Sequence, residues 1–431
     1  MKKNISQATK CIRSGYKPGN GEPLALPIYQ STTYAYSSPE QIGKLFDLTA
    51  EGHMYSRISN PTVELVEKKI ADIENGVAAL CTVSGQSATL LSVANIVSAG
   101  DRILVSSKVY GGTINLFGVT LRRFGVICDF FDPDMPDEEI KALIRPETKL
   151  IFGETIANPA LKVFDISRFA AIAHGAGIPL IIDNTFATGV LCRPIDHGAD
   201  IVVLSTTKYM DGHAVIVGGC IVDGGRFDWA ASGKFPLLCT PDESYHGVVY
   251  TRDFGAAAYV TKARVQLVRD FGVYPSAQDA FLLDLGLQTL AVRLQKHCEN
   301  AQRVAEYILD SGYAEYVNYP GLACSPDRAL AEKYLPDGCG GVVSFCIRGG
   351  KEAALRFMNE LTLFTNAVHV ATVQSCLLHP ATTTHRQLSD EMLAASGVDA
   401  GLIRMSVGIE DIDDIISDIA GAFAAAEIER A

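Results

Sequence analysis

Long apolar runs are missing from this sequence. No stretch is long enough to cross a membrane, and the start, MKKNISQATKCIRSG, has no apolar core of the kind that a signal peptide carries. The 11 cysteines are scattered, odd in number and include no C-x-x-C pair, so a disulfide framework is not indicated. Most of them sit in apolar settings such as AALCTV, where cysteine packs as a small apolar side chain. We therefore expect a cytoplasmic protein whose thiols stay reduced.

A surplus of positive charge is also missing. The formal net charge is -12 and the pI is about 5.3, whereas nucleic acids and anionic membranes select a basic surface. We predict neither a nucleic-acid nor a membrane partner, which leaves small-molecule chemistry as the better expectation. With 431 residues, 48% of them hydrophobic and 20% charged, the chain can bury a large core in more than one domain.

Two common ligand signatures are absent as well. The dinucleotide fingerprint G-x-G-x-x-G does not follow the early strands, which argues against a nicotinamide enzyme. His379 and His385 have a spacing that matches neither a helical zinc pair nor a zinc finger. We predict no metal site.

Short apolar runs alternate with helical segments from about residue 78, a pattern typical of an α/β fold with a mostly parallel sheet covered on both faces. The runs are VAALCTVSG, DRILVSS, VICDFFD, KLIFGET, IPLIIDNT, DIVVLSTT and GGCIVDG. Residues 1–60 are rich in Tyr, Pro, Ser and Gly and predict an extended arm. Residues 61–275 form the predicted large domain, and residues 276–431, with long helical patterns and one clear strand, a smaller α/β domain.

Polar residues follow several of these apolar runs, and parallel strands place all such residues at one edge of the sheet. The stretch IVVLSTTKYMDGH puts Lys208 just beyond a buried strand. Most lysines at such positions simply reach water. In a water-poor pocket, however, the amine could lose its charge and form a Schiff base.

Two other strand ends favour the second interpretation. Asp183 follows the buried run PLIID, where an unpaired anion would be costly, and a cationic ring nitrogen would offset that cost. The segment SGQSA runs from a strand into a helix, where the backbone amides of Gly85 and Gln86 could hold a phosphate. A carboxylate, a lysine and a phosphate site together suit pyridoxal 5'-phosphate (PLP).

Eight segments then carry a resemblance to a known family. In chain order they are YSRISNPT, SGQSA, YGGT, ETIANP, DNTFAT, STTKYMDGH, HPATTTH and IRMSVGIED. They resemble the PLP-dependent enzymes of cysteine and methionine metabolism over nearly the whole chain. The resemblance implies the aspartate-aminotransferase-like arrangement known as fold type I, with a mostly parallel seven-stranded sheet. It also implies that Lys208 binds the PLP aldehyde.

The resemblance assigns further roles residue by residue. Asp183 resembles the partner of the ring nitrogen, Tyr110 the tyrosine stacked on the ring, and Asn158 an amide that contacts the ring oxygen and the substrate carboxylate. Without the resemblance these residues could be a helix cap, a core aromatic and a turn residue. The resemblance also makes Gly85, Gln86, Ser205 and Thr207 ligands of the PLP phosphate, and Thr185 is the remaining predicted cofactor ligand.

Tyr55 and Arg57 match a Tyr-x-Arg pair that the family sends to the PLP phosphate of the neighbouring subunit, where an arginine is a bidentate partner. This implies a homo-oligomer, at least a dimer and, by the resemblance, a tetramer built as a dimer of dimers. Arg404 resembles the arginine that binds the substrate carboxylate, and Thr372 is a further predicted substrate contact. An ordinary surface ion pair is the alternative for Arg404.

Within the family, YGGTINLF, YLPDGCGGVVSF, HPATTTHRQLSDE and the segment 233–270 are most similar to the sulfhydrylases of O-acetylhomoserine; the shorter lyases lack that segment. The expected reaction is γ-replacement, in which O-acetylhomoserine and sulfide give homocysteine and acetate. γ-Elimination, a cystathionine γ-synthase reaction and a cofactor-free binding protein remain alternatives, and the acyl group and the thiol donor stay open. Two positions depart from the family: Ala214 replaces a glycine, and residues 369–372 replace an Asn/Ser-x-Gly-Asp segment.

Overall fold

The computed structural model describes residues 5–383 and 399–430. The chain divides into two compact units. Unit 1 comprises residues 1–155, 165–211 and 215–289, and unit 2 comprises residues 156–164, 212–214 and 290–431. The division falls at Thr289 inside one long helix, whereas the sequence places the domain boundary at residue 275.

Unit 1 contains a seven-stranded sheet with the strand order β1-β7-β6-β5-β4-β2-β3. Only β7 runs against its neighbours; the other pairings are parallel, as the apolar runs predict. The central strands are buried on both faces, which explains their continuous Ile, Leu and Val runs. The seven strands are β1 (Ala78–Thr82), β2 (Arg102–Ser106), β3 (Ile127–Phe131), β4 (Thr148–Glu154), β5 (Leu180–Asp183), β6 (Ile201–Leu204) and β7 (Gly219–Asp223).

The helices of the amino-terminal half of unit 1 connect and cover these strands. The α4 and α7 connections are crossovers of the kind that parallel strands require. The helices are α1 (Gln7–Arg13), α2 (Pro39–Phe46), α3 (Pro61–Glu74), α4 (Gly85–Ala94), α5 (Gly111–Asn115), α6 (Asp137–Leu143), α7 (Ile166–Gly175) and α8 (Thr188–Leu191). A π-helical turn (Leu116–Thr120) and two 3-10 turns (Leu121–Phe124 and Pro194–His197) complete this half.

Residues 225–271, which have little sequence periodicity, are largely helical and pack an aromatic cluster that includes Trp229 stacked on Tyr259. The elements are α9 (Trp229–Ser232), α10 (Pro236–Cys239), a 3-10 turn (Glu243–Tyr245), α11 (Tyr250–Phe254), a 3-10 turn (Gly255–Ala257), α12 (Ala258–Lys262), a π-helical stretch (Ala263–Val268) and α13 (Arg269–Phe271). The long helix α14 (Ala277–Ser311) follows.

Unit 2 contains a five-stranded sheet with the order β10-β11-β12-β9-β8. Its strands are β8 (Ala314–Asn318), β9 (Val342–Ile347), β10 (Thr365–Asn366), β11 (Cys376–Leu378) and β12 (Leu402–Ser406). Its helices beyond α14 are α15 (Arg328–Tyr334), α16 (Gly350–Glu360) and α17 (Ile412–Ala425), with a 3-10 turn at Pro380–Thr382. Across the described ranges, no helix has both the length and the apolarity needed to span a membrane.

The amino-terminal segment is less uniformly extended than its composition predicts. Helix α1 begins at a Ser6 cap and packs on unit 1, where the Gln7 amide donates to the carbonyls of Ile73 and Gly189. Helix α2 begins at a Ser38 cap. Between and after these helices the chain is irregular up to residue 60, in agreement with the predicted arm.

Candidate active site

Lys208 lies just beyond β6 at the carboxyl edge of the large sheet, as the sequence predicts. The four β6 residues are at most 1% exposed. After them the chain makes a tight turn in which the Lys208 N–H donates to the Ser205 carbonyl at 3.2 Å and the Asp211 N–H donates to the Thr206 carbonyl at 2.9 Å. The turn leaves the Lys208 side chain half-buried.

Asp183 ends the neighbouring strand β5 and is held by Thr185. Its Oδ1 accepts both the backbone N–H of Thr185 at 2.9 Å and the Thr185 hydroxyl at 2.5 Å. Burial nevertheless raises the pKa of Asp183 to about 6. The ionised carboxylate would therefore be stabilised by a cation placed against it.

Thr185 also links this carboxylate to the Lys208 turn, because its Oγ1 accepts the Ser205 N–H at 2.8 Å. The sequence marks Thr185 only as a cofactor ligand. In the structure it orients Asp183 and fixes the start of the turn that carries Lys208. The contact with Asp183 is a local turn, and the contact with Ser205 is possible because β5 and β6 pair side by side.

The SGQSA segment forms the amino terminus of α4, as predicted. Ser84 caps the helix and forms a capping box with Ser87, in which the side chain of each serine accepts the backbone N–H of the other. Gly85 packs so closely on Ser205 that a Cβ at residue 85 would lie 2.6 Å from the Ser205 Cβ. Three predicted phosphate ligands, Gly85, Gln86 and Ser205, are therefore brought to one place, beside the first N–H groups of a helix.

Tyr110 stands at the start of α5 and is about half exposed. Its backbone N–H donates to Glu154 Oε1 at 2.5 Å, and the Gln86 amide donates to the Gly112 carbonyl at 2.9 Å. A Cβ at Gly112 would overlap the Tyr110 ring. Glu154 ends β4 beside Asp183 in the β4–β5 register, and its carboxylate joins the end of β4 to the start of α5. Glu154 lies in the apolar run KLIFGET, and the sequence gives it no role.

Thr207, the fourth predicted phosphate ligand, has its hydroxyl engaged by the backbone. It accepts the Gly218 N–H at 2.9 Å and donates to the Gly218 carbonyl at 3.2 Å. Within unit 1 it therefore joins the Lys208 turn to the chain that leads into β7.

Unit 2 holds the predicted substrate ligands. Arg404, in the middle of β12, is 8% exposed; its guanidinium donates to Asn158 Oδ1 at 3.1 Å and to the His369 carbonyl at 3.3 Å. Asn158, which precedes a cis proline, is thus brought together with Arg404. Thr372 is buried too, and its hydroxyl donates to the Gly212 carbonyl at 3.3 Å.

The two departures from the family pattern share one backbone property. Ala214 and Ala371 both have left-handed backbones, with φ of 57° and 66°. This is the conformation for which glycine is the favoured residue. The chain therefore keeps the backbone that glycine would provide at both positions while carrying a methyl group.

Tyr55 and Arg57 lie in a turn of unit 1, with the Arg57 guanidinium 5.3 Å from the centre of the Tyr55 ring. One Arg57 N–H group donates to the carbonyl of Arg269. Tyr55 is 41% exposed. The two residues of the predicted pair are therefore close together, with Tyr55 exposed at the surface of the described chain.

Of the two histidines considered for a metal site, the structure describes only His379. His379 contacts the Thr382 hydroxyl at 2.9 Å and the Ala400 carbonyl at 2.8 Å through its two ring nitrogens. His385 lies outside the described residues, as does the part of HPATTTHRQLSDE that begins at residue 384.

The chain is similar to known proteins over most of its length. The sequence model of a family described as "Cys/Met metabolism PLP-dependent enzyme" matches residues 8–424. O-acetyl-L-homoserine sulfhydrylase of Corynebacterium glutamicum is 46% identical over 93% of this chain and 92% of its own length. Homocysteine synthase of Schizosaccharomyces pombe is 44% identical over 92% of this chain and 93% of its own length.

A solved structure is similar as well. The crystal structure from Campylobacter jejuni assigned as an O-acetylhomoserine (thiol)-lyase, with N'-pyridoxyl-lysine-5'-monophosphate, has a TM-score of 0.94 and is 34% identical. The match covers 97% of this chain and 100% of that chain.

Proposed function

Because the chain belongs to the Cys/Met metabolism PLP-dependent enzyme family, we propose that it replaces the acetate of O-acetylhomoserine with sulfide, which gives homocysteine. The observation that carries this proposal is the identity of 40–46% to relatives named O-acetyl-L-homoserine sulfhydrylase, each covered almost completely. The residues at the carboxyl edge of the large sheet support it.

The residues at that edge fit PLP. Asp183 is a half-buried carboxylate whose Oδ1 is held by Thr185, and the loss of water around it raises its pKa. The ring nitrogen of PLP supplies a cation that would stabilise the ionised form. Lys208 would hold the aldehyde, and Gly85, Gln86 and Ser205 would hold the phosphate at the amino terminus of α4.

When bound, PLP withdraws electrons from the carbon atoms of an attached amino acid. The Lys208 amine, once the substrate amine has taken its place, would carry protons between Cα and Cβ of the substrate. Tyr110 would lie against the ring and exchange protons with the substrate, in a position that Glu154 fixes through the Tyr110 N–H. Acetate would then leave from Cγ, and sulfide would add there.

For the substrate carboxylate we propose Arg404 and Asn158, whose mutual hydrogen bond orients the guanidinium. Thr372 would act indirectly, because its hydroxyl is bonded to the Gly212 carbonyl. Thr207 would likewise order the Lys208 turn through Gly218.

We further propose that the chain acts in the cytoplasm as a homo-oligomer that is at least a dimer and, if it is a tetramer, a dimer of dimers. In this oligomer Tyr55 and Arg57 complete the phosphate site of a neighbouring copy. In this scheme residues 1–60 are the arm, residues 61–275 bind PLP and residues 276–431 form the small domain. Size measurement by light scattering tests the oligomer.

Steady-state assays of the purified protein test the activity. O-acetylhomoserine and O-succinylhomoserine, each with sulfide, methanethiol or cysteine, would identify the ester and the donor. We expect the highest kcat/KM with the acetyl ester and sulfide. A preference for the succinyl ester with cysteine would point to a cystathionine γ-synthase. A protein that purifies without visible absorption and gains none when PLP is added would be a binding protein without the cofactor.

A further inference from the structure

The segment 233–270, which the shorter lyases of the family lack, contacts the turn that carries Tyr55 and Arg57. Arg57 donates to the carbonyl of Arg269. Arg264 donates through Nη1 to the carbonyl of Ile58, the residue after Arg57, at 3.1 Å. The contact with the Ile58 carbonyl fixes the backbone of the turn. The contact with the Arg269 carbonyl fixes the direction of the Arg57 side chain.

Arg264 is itself held rigidly. Its Nη2 lies 2.6 Å from Glu67 Oε2 in an ion pair whose side chains are 21% and 4% exposed. The other Glu67 oxygen, Oε1, accepts the Cys81 N–H of β1 at 2.8 Å. Arg264 therefore connects the arm to α3 and to the large sheet through two ends of one planar guanidinium.

The helix that carries Arg264 is irregular at this residue. Arg264 lies in the π-helical stretch Ala263–Val268, which interrupts an otherwise α-helical run from Ala258 to Phe271. Such wider turns change the direction in which side chains leave a helix and are frequent at functional sites. The Arg269 carbonyl lies in the last turn of that run, where carbonyls have no partner within the helix and accept outside donors.

Arg57 retains donors after its contact with Arg269, because a guanidinium has five N–H groups. The carbonyl and the Tyr55 ring, 5.3 Å from the guanidinium carbon, restrict its rotation. The side chain is thereby preorganised for an anion, which lowers the entropic cost of binding.

We propose that Arg264 is a positioning residue for the PLP phosphate of a neighbouring copy of the chain. It holds the Ile58 carbonyl and so sets Arg57 in the place from which Arg57 would bind that phosphate. This inference rests on the proposed function, in which Arg57 serves the neighbour.

The first test is Arg264→Lys, which keeps a positive charge beside Glu67 but cannot bridge two acceptors in the same way. Loss of a charge-assisted contact corresponds to roughly 10-fold or more in affinity. We expect the PLP dissociation constant, measured from the visible absorption of the bound cofactor, to rise about tenfold. Arg252→Lys is the matched control, because Arg252 lies in the same segment and pairs with Asp253 at the surface; it should leave PLP affinity unchanged.

A second variant protects the test against a folding defect. Glu67→Gln combined with Arg264→Met removes both charges, so no buried ion is left unpaired. It should also bind PLP more weakly, although its far-ultraviolet circular dichroism should match that of the parent.

The decisive test uses mixed oligomers of Arg264→Lys and Lys208→Ala subunits. A mixed dimer has one site with an intact Lys208 and an intact neighbouring arm, and one site with both defects. We expect parent-like PLP affinity to return in half of the sites, together with part of the activity. The mixture of Arg57→Ala and Lys208→Ala subunits, which tests the proposed arm itself, should behave in the same way.

The outcomes are separable. Full PLP affinity in Arg264→Lys would overturn the inference. So would mixed oligomers that recover with Arg57→Ala but fail with Arg264→Lys, because Arg264 would then act only within its own chain. If neither mixture recovers although subunit exchange is proven, the proposed role of the arm is wrong, and the inference is overturned with it.

Discussion

The close approach of Gly85 to Ser205 gives a sharp test of the proposed phosphate site. An alanine Cβ at residue 85 would lie 2.6 Å from Ser205 Cβ and 2.9 Å from Ser205 Cα, where ordinary contacts begin at 3.4 Å. The α4 terminus and the Ser205 segment would have to separate by about 0.8 Å. A backbone atom is among the obstacles, so a side-chain rotation cannot relieve the overlap.

We expect two effects of Gly85→Ala. Overpacking of this kind costs about 1–3 kcal/mol of folding free energy. Displacing one or two N–H groups from the phosphate removes charge-assisted hydrogen bonds worth about 1.5–3 kcal/mol each, so PLP should bind at least tenfold more weakly. Spectroscopic titration of the apoprotein with PLP measures the affinity, and thermal unfolding with and without PLP measures the stability.

Gly421→Ala is the matched control. Gly421 lies inside α17, and a Cβ added there would have no neighbour within 4 Å in the described part of the chain, the helix's own nearby backbone aside. Alanine at this position should therefore raise stability by up to about 1 kcal/mol through helix propensity. PLP affinity should not change. If Gly85→Ala binds PLP as tightly as the parent, the α4 terminus does not hold the phosphate.

Three further predictions concern Lys208, Asp183 and Ala214. Borohydride reduction followed by peptide mapping should place the pyridoxyl group on Lys208, and a label on another lysine would refute the assignment. Burial raises the pKa of Asp183 to about 6 from 3.8, so the protonated carboxyl favours the folded state below pH 4 and this stability is lost as the pH rises through 6. The Asp183→Asn apoprotein should therefore gain stability relative to the parent between pH 4 and 7. Equal pH profiles of the free energy of unfolding would contradict this. Ala214→Gly should change the free energy of unfolding by less than about 1 kcal/mol, because relief of the left-handed strain offsets the added entropy of the unfolded chain. Ala171→Gly, on the exposed face of α7, should cost about 1 kcal/mol in the same denaturant titration, and equal losses in both variants would argue against strain at Ala214.

The large sheet and its edge could be predicted because they depend on local patterns. Apolar runs such as IVVL and LIID identify buried strands, and parallel pairing then places Asp183 and Lys208 at the same edge. The eight family segments add roles that no periodicity contains. The seven-stranded sheet of unit 1 confirms the strand pattern.

Other features depend on contacts between distant residues and could not be predicted in this way. The hydrogen bond between Tyr110 and Glu154 joins residues 44 positions apart, and the contact of Arg264 with Ile58 joins residues 206 positions apart. The helices of 225–271 are short and stabilised by an aromatic cluster, so they leave little periodicity in the sequence. The left-handed alanines at 214 and 371 oppose local preference, and only the surrounding backbone imposes them.

The partition of products measures the central claim most directly. A replacement enzyme must shield its reactive intermediate from water until sulfide arrives. With O-acetylhomoserine and sulfide the protein should therefore form homocysteine with little 2-oxobutyrate, and L-methionine alone should be a poor substrate. Rapid release of 2-oxobutyrate and methanethiol from methionine, with sulfide unable to divert O-acetylhomoserine into homocysteine, would contradict the account and identify a γ-lyase.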